Sequence, residues 1–316
     1  MSIPVPLLRK GVSKMRSRQK KTYTQITIRS WDEFVSIVGT GYLNWAFRGH
    51  SDADWQLETT LGRRFRTAGI DPRAWPEQES RILRIFKRKA HLFLDHIPHE
   101  LDVLHWLATM QHHGAPTRLL DFSWSPYVAA FFALEFADRD AAIWAVNPAA
   151  LRSPISLVVD GKKKSVKPFD LRLRREAMED VDWNYRQNFL PNTHSFAILD
   201  EPNIMNQRTI AQSGTFIIPS TLNAPFDAIV GEYSNASDVL TKFILPTKKI
   251  RKAAMLALYT MNVTQYTLFP GIDGLARSMG YELEYNQFFN PVNMRPNPGY
   301  ESDGDRLFDW SSRQSK

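Results

Sequence analysis

Cysteine is absent from all 316 residues, which excludes disulfides, thiolate zinc sites and a cysteine nucleophile. No apolar run reaches the length needed to span a bilayer. The basic residues near the N-terminus are not followed by an apolar core and a small-residue cleavage site, so no secretory leader is expected. A cytoplasmic protein without membrane association is the expectation. The patterns GxxxxGK[ST], GxSxG and GxGxxG are missing as well, which disfavours ATP hydrolysis and serine-hydrolase chemistry. Acidic residues are lacking from 1–21, a stretch that holds seven Lys or Arg.

That last absence locates the charge. Of 40 basic residues, 33 lie beyond the stretch and match the 33 acidic ones, so the net +7 belongs to an arm rather than to the body. Such an arm suits nucleic acid, a membrane surface or an acidic partner, and a solvated tail is the bland alternative. GKKKSVK (161–167) with RLRR (172–175), and TKKIRK (247–252), add local positive clusters. A groove between them would suit a phosphate backbone. Residues 291–316 are rich in Pro, Asn, Gly, Ser and Asp and are expected to form a loose tail. The expected organisation is an arm over 1–22, one domain over 23–290 and a tail over 291–316. Hydrophobic content of 43% and charged content of 23% are those of an ordinary globular chain.

Periodicity predicts strands over 23–28 and 43–48. Helices are predicted at 76–97, where Ile82, Ile85, Phe86, Leu92 and Phe93 recur at helical spacing, and over 99–114, closed by Gly114. Ser125 and Pro126 stand in the order of an N-cap and first helical turn ahead of an almost wholly apolar helix, which should be buried. Its N-terminus would offer backbone N–H groups to an anion. AAIWAVN, ISLVVD, SFAILD, GTFIIP and KFILP read as strands, with a helix over 247–262 following. Helices early and strands late argue for α+β, a helical N-terminal half packed on a mostly antiparallel sheet.

Chemistry concentrates in two places. In NWAFRGHSDADW (44–55), Trp45 and Phe47 point one way, Ala46 and Arg48 the other, and Gly49 is expected to end the strand. A buried strand that delivers a guanidinium to its end either forms a salt bridge or holds an anionic ligand. QHHGAPTRLLDFSWSPYVAAFFA (111–133) gathers His112, His113, Thr117, Arg118, Asp121, Ser123 and Ser125. Their plain reading is capping, turn-making and ion pairing. Six of eight histidines fall within 23 residues, but without HExxH spacing, so no metal site is expected.

Phe47-Arg48-Gly49, the run Gln111 to Asp121, the run Asn206 to Phe216 and LFPGIDGLA (268–276) together resemble the FRG-domain family, in the right order over about residues 40–280. More distantly, the chain is similar to arginine-type mono-ADP-ribosyltransferases. Phe47-Arg48-Gly49 looks like their first element. Phe122-Ser123-Trp124-Ser125 looks like their Ser-Thr-Ser segment, and Gln212-Ser213-Gly214-Thr215 stands where their acidic loop would be. This resemblance implies an ADP-ribosyltransferase-like core and NAD as cofactor, held by Arg48, Gly49, Thr117, Arg118, Ser123 and Ser125.

The catalytic glutamate of such enzymes is missing from that third element. Gln212 can hold a ribose hydroxyl but cannot act as a base. His112 or His113, oriented by Asp121, is the favoured substitute, and Glu135 on the apolar helix is another. The catalytic set is thus Arg48, His112, His113, Asp121 and Gln212. Trp45, Trp55 and Trp124 are candidates to stack on a ring, although core packing is the better reading of Trp45. The expected function is an ADP-ribosyltransferase-like toxin or phage-defence effector. It would modify nucleic acid, RNA or single-stranded DNA, with an antitoxin protein as an implied partner. The alternative is a sensor that binds a nucleotide or nucleic acid without chemistry.

Overall fold

A computed structural model describes residues 23–159, 162–173, 178–286 and 292–293. The basic arm, most of the 291–316 tail and parts of the 161–167 and 172–175 clusters lie outside the described residues.

The chain opens with β1 (Thr24–Thr27), α1 (Trp31–Gly41), β2 (Ala46–His50), α2 (Thr60–Thr67), α3 (Trp75–Ala90) and α4 (Val103–His112). Next come β3 (Leu120–Ser123), α5 (Pro126–Leu134), β4 (Ala141–Val146), α6 (Pro148–Leu151), and the hairpin of β5 (Ile155–Val159) and β6 (Lys162–Val166). Then follow α7 (Met178–Asn184), β7 (Ala197–Asp200), α8 (Gln207–Ala211), β8 (Gly214–Pro219), α9 (Phe226–Gly231) and α10 (Ala236–Val239). The last elements are β9 (Leu240–Leu245), α11 (Thr247–Thr260), α12 (Gln265–Leu268) and α13 (Ile272–Asn286). No helix among the described residues is long and apolar enough to cross a membrane.

Seven strands form one open sheet in the order β1-β9-β4-β2-β3-β8-β7. Only β1 against β9 is parallel; the other pairs are antiparallel. The fold is therefore mixed, with the mostly antiparallel sheet that the pattern predicts. Helices and strands interleave more than predicted, since β1, β2, β3 and β4 all come from the first half of the chain.

Period-two alternation decides what covers each face. Phe47, Ile143, Ala145 and Phe243 pack under α1, α5 and α11. Ala46, Trp144, Val146, Leu120 and Ile217 face the other way, against α9 and α10. A third cluster seats α3, α4 and α7 on Phe216, Ile218 and Ile198. The buried apolar helix is α5, capped as predicted by Ser125, whose hydroxyl accepts from Val128 N at 3.3 Å. Several predicted boundaries shift; α4 starts at Val103 rather than at residue 99, and β2 at Ala46 rather than at residue 43. α3 stops at Ala90, leaving Leu92 and Phe93 exposed at 69% and 81%. β2 does not end at Gly49 but runs on to His50.

Candidate functional site

The sheet is not evenly laced. β2 pairs with β4 through five residues and β3 with β8 through four, yet β2 and β3 share one pair, Phe47 with Ser123. Beyond that pair the two strands part, and carbonyls on the β3 side lack a ladder partner. Side chains supply one. Arg48 Nη1 donates to the Asp121 carbonyl at 2.6 Å, and Gln111 Nε2 to the Leu119 carbonyl at 3.3 Å.

Where the strands part there is a cleft of about 940 Å³. Its lining includes Arg48, His50, Trp55, Arg63, Gln111, His112, Asp121, Ser123, Phe132, Arg208 and Gln212. These come from both sheet faces and from α2, α4, α5 and α8, so no single sequence window contains the site. Three guanidinium groups share the cleft. Arg48 is 25% exposed and lies 3.8 Å from Asp121 Oδ2, itself 58% exposed. The Arg63 side chain lies at the surface without a hydrogen bond among the described residues, and Arg208 sits 4.6 Å over the Phe269 ring. Burial, opposed by Asp121 and reinforced by Arg277, lowers the Arg208 pKa.

One hydrogen-bonded chain orders the Asp121 carboxylate. The Thr117 hydroxyl, buried, donates to Gln111 Oε1 at 2.6 Å and accepts from Leu119 N at 3.1 Å. That fixes the amide so that Nε2 donates to Asp121 Oδ2 at 2.9 Å. Thr117 therefore supports the site from behind and is absent from the cleft lining.

Other predicted site residues take different places. Arg118 is fully buried, bonded to Glu79 and to the carbonyls of Pro219 and Ser220, so it is a structural residue rather than a cofactor ligand. Gly49 does not make room for a ligand: a Cβ there would lie 2.0 Å from the Ala129 carbonyl oxygen, inside α5. Glycine is needed because α5 packs directly on β2. Ser123 donates to the Gln212 carbonyl at 2.7 Å and accepts from Ser125 N at 3.0 Å, and Ser125 caps α5 outside the cleft. The α5 N-terminus is thus partly satisfied by its own cap.

The predicted His–Asp pair is not assembled. Asp121 is engaged by Gln111 and Arg48, and neither histidine bonds to it among the described residues. His112 lines the cleft, where burial, then His113 and Arg208, lower its pKa. His113 is exposed, edge-on to His112, and outside the lining. Glu135 is 5% exposed, accepts from Gln265 and from Tyr281 at 2.6 Å, and is held up in pKa by burial. It does not reach the cleft. Gln212 does, with its amide donating to the Leu268 carbonyl at 3.0 Å. Of the tryptophans, Trp55 lines the cleft at 55% exposure, Trp45 packs on Tyr42, and Trp124 bonds to Glu201.

Several cleft residues are absent from the sequence-based set, Arg63, Arg208 and His50 among them. His50 is 7% exposed, and its Nε2 accepts from Arg48 Nε at 3.1 Å. Burial, then the Arg48 charge, lower its pKa to about 3, so the ring is neutral at physiological pH. Its signal was its position, two residues after Arg48 and so on the same strand face.

Compared with known families, the chain matches the FRG domain model over residues 43–142. The matched stretch runs from the turn before β2 to the start of β4 and includes Arg48, Gln111 to Asp121 and α5. It leaves out the 206–216 and 268–276 segments that also line or flank the cleft. No curated protein and no solved structure matches.

Proposed function

We propose that the cleft holds NAD and that the protein is an ADP-ribosyltransferase-like enzyme acting on nucleic acid, RNA foremost. The observation that carries this reading is the placement of Arg48. Its side chain is anchored by neutral acceptors, the Asp121 carbonyl and His50, where β2 and β3 part, with Arg63 and Arg208 lining the same cleft. Guanidinium groups in such a cleft suit a pyrophosphate. The volume, about 940 Å³, fits a dinucleotide, since ligand sites run to roughly 1,000 Å³. Trp55 and Phe132 offer ring surfaces in the same cleft.

When bound, NAD supplies an ADP-ribosyl group: its bond to nicotinamide breaks, the electron pair leaving with nicotinamide, as the acceptor nucleophile bonds to ribose C1. Asp121, the exposed carboxylate ordered by Gln111, is the group placed to take the acceptor's proton. Gln212 contributes an amide oxygen for a ribose hydroxyl. The three arginines hold the phosphates and orient the reacting centre. The nucleic-acid acceptor is supported by the basic arm over 1–21.

A second reading, a nucleotide-binding sensor without chemistry, is favoured by the absence of a carboxylate between Gln212 and Thr215. Labelled NAD incubated with the protein and with RNA, single-stranded DNA, duplex DNA or lysate separates the two. The enzyme predicts label in one pool, lost in a folded Arg48→Ala variant. Saturable NAD binding without transfer or nicotinamide release establishes the sensor. Absence of both binding and transfer refutes the NAD reading.

A further inference from the structure

An arginine at the end of a strand is a flexible group, and a ligand that must freeze it loses affinity. In this cleft the freezing is already done. Arg48 has five N–H donors. Nε–H goes to His50 Nε2 at 3.1 Å and one Nη1–H to the Asp121 carbonyl at 2.6 Å. Both acceptors are uncharged, so two bonds fix the plane of the group without cancelling its charge.

His50 is an expensive way to fill the position. Because Nε2 accepts, the ring proton sits on Nδ1. That nitrogen is buried and makes no hydrogen bond of full geometry among the described residues, its one support being a backbone interaction with Trp55. The ring also packs edge-on against Trp55 at 5.9 Å. If position 50 only had to fill the core, an apolar side chain would do so without burying a donor that is only weakly served.

We infer that His50 is a positioning residue for Arg48, its neutral imidazole accepting Nε–H so that the other guanidinium donors are held ready for a phosphate-bearing ligand. The anionic ligand rests on the reading of Arg48 given above; the hydrogen bond itself does not.

Two measurements on the full chain test this. Long-range proton–nitrogen NMR at pH 7, without ligand, should show His50 as the Nδ1–H tautomer, with its Nε2 resonance changed by Arg48→Ala. An Nε2–H tautomer, a cationic ring or indifference to Arg48→Ala overturns the proposal. Calorimetric titration with ADP and with NAD then compares His50→Gln with His50→Asn. Glutamine Oε1 reaches where Nε2 stood, whereas asparagine stops at the Nδ1 position. His50→Gln should keep near wild-type affinity, and His50→Asn should lose about tenfold or more, with thermal midpoints alike. Equal loss in both, or none in either, overturns the positioning role. If the wild type binds neither nucleotide, the NAD reading falls and the NMR result alone decides the role of His50.

Discussion

Replacing Arg118 by methionine separates a structural arginine from a binding one. Arg118 and Glu79 have side chains 0% and 1% exposed. Arg118 Nε donates to Glu79 Oε1 at 2.7 Å and Nη1 to the carbonyls of Pro219 and Ser220, both at 3.1 Å. The Tyr185 hydroxyl donates to the same carboxylate at 2.8 Å. Burial works against the Arg118 charge, and Glu79 more than offsets it, so the guanidinium pKa rises. Removing one partner of such a pair leaves a buried charge uncompensated, at a cost of about 3–5 kcal/mol. Against a total stability of about 5–15 kcal/mol, that is about a fifth or more of the margin. Urea unfolding followed by circular dichroism should show Arg118→Met losing stability on this scale. The double variant Arg118→Met/Glu79→Met should recover part of it, because no charge is then stranded. A folded Arg118→Met variant with a wild-type midpoint but no nucleotide binding would refute the structural assignment.

Two further outcomes follow from the same reasoning. Gly49→Ala should destabilise by about 1–3 kcal/mol or more and lower the thermal midpoint, since its Cβ would lie 2.0 Å from the Ala129 oxygen and 2.6 Å from Ala133 N, so α5 must move. An unchanged midpoint would mean that α5 does not rest on β2 as described. His50 has a folded-state pKa of about 3 against 6.5 when unfolded. Between these values the unfolded chain binds a proton that the native state does not. Stability therefore falls by up to about 1.4 kcal/mol per pH unit as pH drops below 6.5, and is unaffected above it. His50→Gln should remove that component from the difference between unfolding curves at pH 7 and pH 5; identical pH dependence in both proteins would contradict the buried neutral ring.

The parts of the fold that were legible in the sequence are those whose burial is one-sided or complete over several residues. The wholly buried runs at β4 and β8 read as strands from their apolar content. α5 read as a buried helix because Ser125-Pro126 opens an unbroken apolar stretch. α1 was missed although its signals are present: Ser30 accepts from Glu33 N, and Trp31, Phe34 and Val38 keep helical spacing. β3 was not legible, because four residues are too few for a period to show. Arg48, Asp121, His112 and Gln212 line the cleft as their motifs suggest, whereas Arg118 lies buried on Glu79 and the Cβ position of Gly49, itself in the lining, faces α5. Glu79 lies 39 positions from Arg118 on a helix otherwise rich in exposed charge, so nothing local marks it as a buried partner. Gly49 sits beside Arg48 in the chain, but alternation turns its face toward α5.

Arg48 and Arg118 look equivalent in sequence, each closing a short motif, yet their surroundings settle opposite roles. Arg118 meets a carboxylate in a two-pronged contact behind the sheet, and its charge is cancelled in place. Arg48 meets a carbonyl and a neutral imidazole, with Asp121 Oδ2 at 3.8 Å and largely open to solvent. An exposed carboxylate at that distance is worth little to the pair. The Arg48 charge is therefore held in position and left largely unneutralised, a state that costs free energy in the folded protein. A fold that needed only a bridge across the β2–β3 gap could have continued the ladder instead. Parting the strands there and bridging them with a cation is the arrangement that the proposed anion site would call for.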